Sequence, residues 1–90
     1  MMEISVGSVV ISRAGHDKTE WFIVLGLDGD CAMLANGDSR KVDKPKKKKL
    51  KHLQKTNYIS EFIKEEMNNG GKVENHQVRK ALAEFKPVSC

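Results

Sequence analysis

Ninety residues, 39% of them hydrophobic and 31% charged, make one small domain with a modest core. No apolar run approaches the roughly 20 residues that cross a bilayer, and residues 1–5 lack the basic and apolar regions of a signal peptide, so the chain reads as a cytoplasmic protein with no membrane partner. The formal net charge of +4 conceals a partition: residues 1–38 carry two basic side chains against six acidic, residues 39–57 nine basic against Asp43 alone, and residues 58–90 five of each.

In chain order, Val9-Val10-Ile11 and Trp21-Phe22-Ile23-Val24-Leu25 are β-branched and aromatic runs of strand length. The polar loop between them contains Gly15, available for positive φ. Asp28-Gly29 ahead of Asp30-Cys31-Ala32-Met33-Leu34 is a strong hairpin signal, and Asn36-Gly37 repeats it. Ser39-Arg40-Lys41-Val42 then reads as a fourth strand, ended by Pro45, and Leu50-Lys51-His52-Leu53 as a closing strand, with the lysines on the connection between them. Successive short hairpins predict a meander that protects its edges by curling into a barrel.

From residue 57 the period changes. Ile59, Phe62, Ile63 and Met67 share a helical stripe, with Asn57 as N-cap and Gly70-Gly71 as the stop. Asn75 caps a second helix whose Val78, Ala81, Leu82 and Phe85 share a face, and Pro87 ends it. The organisation expected is a barrel over residues 1–55, including a basic segment at 40–52, and a two-helix appendage over 56–90.

Gly7-Ser8-Val9-Val10-Ile11-Ser12-Arg13-Ala14-Gly15-His16-Asp17-Lys18-Thr19, continuing into Trp21-Phe22-Ile23-Val24, resembles a KOW motif. With the lysine segment and the helices behind it, the chain resembles the small bacterial KOW-domain RNA-binding proteins related to archaeal and eukaryotic large-subunit ribosomal proteins of the fourteen-e type. Thr19 departs from that pattern, standing where most KOW sequences have glycine. The resemblance implies an SH3-like barrel and an RNA contact through the loop that carries Arg13, His16 and Lys18.

The residues themselves point the same way. Lysines packed as densely as Lys44, Lys46, Lys47, Lys48, Lys49 and Lys51 repel one another unless they are solvated or a partner neutralises them, and phosphate is the commonest such partner. Arg40 and Lys41 extend the patch. Lysine attracts phosphate as a point charge without reading bases. Pro45-Lys46-Lys47-Lys48-Lys49 also matches a nuclear-import pattern should the source be eukaryotic. Trp21 and Phe22, in the middle of a β run, read as core rather than as stacking platforms. The acidic side chains, mostly in turns and on helix faces, read as solvated.

Catalysis requires groups brought together with tuned pKa values, and no nucleophile-base pair, phosphate-binding glycine loop or metal-ligand spacing is evident. Cys31 reads as a buried small hydrophobe and Cys90 as a free tail thiol. The expectation is therefore a non-enzymatic protein without cofactor, metal or small-molecule substrate. It would bind ribosomal RNA, and ribosomal proteins beside it, as a ribosomal or ribosome-associated protein. The alternative is a protein-binding SH3-like adaptor.

Overall fold

The apolar runs at 9–11 and 21–25 alternate between two separate cores, and that alternation sets the architecture of residues 4–85, the part of the chain described by this computed structural model. The elements are β1 (Ser8–Ser12), β2 (Trp21–Asp28), β3 (Cys31–Ala35), β4 (Lys46–Lys49), a 3-10 turn (Leu50–His52), β5 (Leu53–Ile59), α1 (Glu61–Asn68) and α2 (Asn75–Phe85). The strands pair antiparallel in the order β4-β3-β2-β1-β5, a meander whose last strand returns beside the first. This is the mainly β, SH3-like small barrel with C-terminal helices that the sequence predicts.

Val10, Phe22, Val24, Ala32, Leu34 and Leu53 fill the barrel side. Val9, Ile23, Leu25 and Ala35 face the other way, onto Ile63, Val73, Val78, Ala81 and Leu82. Strands covered on both faces read as continuous apolar runs, which is how these two appear in the sequence. Register shifts between Ser8 and Val10, and between Val24 and Gly26, are bulges that bend the strands and help the sheet curl. The Asp28-Gly29 hairpin forms as expected, with Asp28 paired to Cys31 and Gly29 at φ 61°.

Several boundaries differ from the sequence reading. Asn36-Gly37 opens a longer loop instead of a tight hairpin, because the Asn36 Oδ1 accepts from the backbone N–H of both Asp38 and Arg40. Ser39-Arg40-Lys41-Val42 is consequently not a strand, and the fourth strand is the lysine run itself, paired with β3 from Cys31↔Lys49 to Leu34↔Lys46. Leu50–His52 is a 3-10 turn, and β5 continues through Asn57 to Ile59, so the expected domain boundary at 55/56 falls inside a strand. Ser60, not Asn57, caps α1 by accepting from the Ile63 N–H.

On α1, Ile63 is buried as expected, but Phe62 is 49% exposed. Gly70 ends the helix at φ 75°, with Gly71 N–H donating to the Glu66 carbonyl and Gly70 N–H to that of Met67, a Schellman closure. On α2, Val78, Ala81 and Leu82 are buried as predicted, and Phe85 stacks on Tyr58 with ring centroids 5.1 Å apart. The helices thus supply half of one core and are no mere appendage. Cys31 is half-exposed, its Sγ 3.5 Å from an Asp30 oxygen. Pro87 and Cys90 lie outside the described residues. Among those described, no helix is long and apolar enough to cross a membrane, and no group of three or more His, Cys, Asp or Glu is placed to hold a metal ion.

Candidate nucleic-acid interface

Four consecutive lysines in a strand must point alternately to opposite faces. Lys46 and Lys48 oppose the buried Leu34 and Ala32, and so turn toward the mouth of the barrel, while Lys47 and Lys49 oppose Met33 and Cys31 on the outside. A buried ammonium needs a partner. Asp17, on the loop between β1 and β2, provides it.

The Lys48 Nζ lies 2.7 Å from Asp17 Oδ1 and donates also to the Ala14 carbonyl at 2.7 Å. Ser12 Oγ donates to the same carboxylate oxygen at 2.8 Å. Lys46 Nζ stands 2.8 Å from Asp17 Oδ2, an ion pair without hydrogen-bond alignment. The Lys48 and Asp17 side chains are only 8% and 10% exposed, that of Lys46 26%. Burial alone would raise the Asp17 carboxyl, but contacts with Lys46, Lys48 and Ser12 and the charge of Lys48 outweigh it, holding the group well below its ordinary range. Asp17, expected to be a solvated turn carboxylate, is instead the buried anchor of the lysine strand.

Thr19 closes the same loop at φ 75°, with its N–H on the Ser12 carbonyl. A β-branched residue in left-handed backbone is strained. The loop therefore keeps the conformation a glycine would favour, although the sequence has threonine there.

The sequence-predicted cations divide accordingly. Lys48 is spent inside the fold and offers no free charge. Lys46 is half-buried on Asp17, and Lys47 pairs at the surface with Asp28 at 2.9 Å, a contact that raises its ammonium pKa. Arg13 is exposed and hydrogen-bonds Gln54, while its backbone N–H reaches the His52 carbonyl, beside Lys51. Lys41 is exposed and donates to the Asp38 carbonyl. His16, Lys18, Arg40, Lys44, Lys49 and Lys51 are exposed, with no ion pair among the described residues.

The latch brings the two candidate segments together. His16, Arg40 and Lys46 line one shallow cleft of about 240 Å³, and Arg40, Lys41 and Lys44 line the next, of about 340 Å³. Lys41 also shares a third cleft, of about 550 Å³, with Lys72, His76 and Arg79. Those cations, Lys72 from the loop between the helices and His76 and Arg79 from α2, do not stand out in the sequence of a C-terminal segment of zero net charge.

Fold and surface together define a small β-barrel with a cationic edge strand, clamped to the neighbouring loop by an internal carboxylate. No protein-family model matches the chain, and no curated protein matches it.

Proposed function

We propose that the protein binds structured RNA, ribosomal RNA foremost, as a non-enzymatic ribosomal or ribosome-associated protein of the cytoplasm, in the manner of the KOW-domain proteins its first loop resembles. The observation that carries this reading is the way the charges are arranged. A single carboxylate of the acidic half, Asp17, holds both inward lysines of β4 in place, while Arg40, Lys41, Lys44, Lys49 and Lys51 stay exposed along the strand and its flanks. Cations borne on an edge strand (Lys49), its following turn (Lys51) and the loop before it (Arg40, Lys41, Lys44) supply phosphate contacts from positions the fold already sets, which lowers the ordering cost on binding. If these five cations each neutralise a phosphate, log affinity for single-stranded RNA falls with log salt at a slope of roughly −3.5. Lys72, in the loop between the helices, and Arg79, on α2, lie where they extend the same surface.

Crosslinking in cells followed by sequencing of the bound RNA tests the reading and names the target. Enrichment of ribosomal RNA is the expected result. Recovery of no RNA above background, with protein partners that persist after ribonuclease treatment, would overturn it.

A further inference from the structure

The chain of clefts continues past the lysines and changes its chemistry. Glu20 and Ser39, on the edge of the His16–Arg40–Lys46 cleft, also line a neighbouring cleft of about 320 Å³ whose apolar lining residues are Trp21, Leu82 and Ala83. Trp21, expected in the core with Phe22, packs against the helix-side core but is only half-buried, whereas Phe22 is fully buried.

Phosphate does not suit the Trp21 cleft. Glu20 and Asp38 bring negative charge, and the one cation lining it, Arg79, donates to the Gly37 carbonyl. A nucleobase does suit it, since every base has a π-face to set against an aromatic ring, and base amino groups donate to carboxylates. Glu20 has acceptor capacity to spare. Its Oε1 receives only long contacts of 3.4 Å from Asn36 Nδ2 and Ser39 Oγ, and no hydrogen bond reaches Oε2 among the described residues. The volume is at the small end of the roughly 300–1,000 Å³ usual for ligand clefts, a size for one base and not for a helix.

We infer that the Trp21 cleft receives a single unpaired guanine from the RNA strand whose phosphates lie on Arg40 and its neighbours. Guanine is singled out because its N1–H and N2–H donors stand side by side and match the two oxygens of one carboxylate, whereas each other base offers a lone donor site on that edge. This rests on the RNA reading and adds to it a position of base recognition, where the lysines alone give affinity without sequence.

Trp21 is the single tryptophan of the chain, so its fluorescence reports on this cleft directly. The full chain is titrated with an oligouridine and with the same oligomer carrying one central guanine, with anisotropy of labelled RNA read in parallel. The guanine oligomer is expected to quench Trp21 and to bind about tenfold tighter. Glu20→Gln should level the two affinities, as should Trp21→Leu, with thermal unfolding confirming that both variants fold. Equal binding of the two oligomers with unchanged Trp21 emission would refute the guanine site and leave RNA binding standing. Absence of binding to either would refute both. Quenching by a short arginine peptide but not by the guanine oligomer would also refute the site, in favour of a cationic protein side chain.

Discussion

Lys48 and Lys49 are adjacent and chemically identical, yet one is locked between Asp17 and the Ala14 carbonyl and the other stands in solvent. The alternation of a β-strand is the whole of the difference. It divides a lysine run into an inward pair that stabilises the barrel and an outward pair, of which Lys47 is held loosely by Asp28 and Lys49 is free. Charge density by itself does not reveal which lysines can meet a partner; the strand register does.

The contrast is broken most forcibly at the inward face. Lys48→Ala strips a buried carboxylate of its best partner and should destabilise the fold by about 3 kcal/mol, while Lys49→Ala should stay within about 0.5 kcal/mol; urea unfolding of the two variants compares them. Equal effects would mean that the register of β4 is wrong.

Asp17 sharpens the same point through pH. Its carboxyl is lowered in the folded protein, so the latch contributes fully above the unfolded value near 3.8 and is lost as pH falls through the folded one. Acid unfolding of the native protein should show this loss. Asp17→Asn should be less stable at neutral pH and should lose less stability on acidification, a difference visible in melting temperatures taken between pH 7 and pH 2.

Much of this architecture is legible in the sequence. The runs 9–11 and 21–25, the Asp28-Gly29 turn and the face of α2 formed by Val78, Ala81 and Leu82 all announce themselves through β propensity, turn chemistry or period. The β4 strand does not. Lysine is poor in β propensity, and four identical residues carry no visible alternation, so only pairing with β3 and neutralisation by Asp17 identify the strand. Asp17 itself is 31 residues from Lys48, and a carboxylate in a polar loop looks solvated until the fold brings the two together. Asn57 failed as a cap for a related reason: β5 continues past it alongside β1, to the Ser8↔Ile59 pair, and Ser60 is the first capping residue beyond the ladder. The cleft at Trp21 was hidden because a half-buried aromatic has the same sequence signature as a buried one.

Two smaller effects probe the loop and the outer face. Thr19→Gly removes the strained left-handed threonine at some cost in unfolded-state entropy, and should raise stability by up to about 1 kcal/mol in urea unfolding. Lys47→Ala breaks an exposed pair with Asp28, and the expected loss is no more than about 0.5 kcal/mol.

The central claim is that exposed lysines along β4 and its flanks bind phosphate while the buried one does not. A salt titration of single-stranded RNA binding, comparing the native chain with a Lys44→Ala, Lys49→Ala, Lys51→Ala variant, tests it most directly. The account predicts weaker binding, unchanged thermal unfolding, and a slope flatter by about 2, from roughly 0.7 per lysine. Coincident affinities and slopes for the two proteins would contradict it.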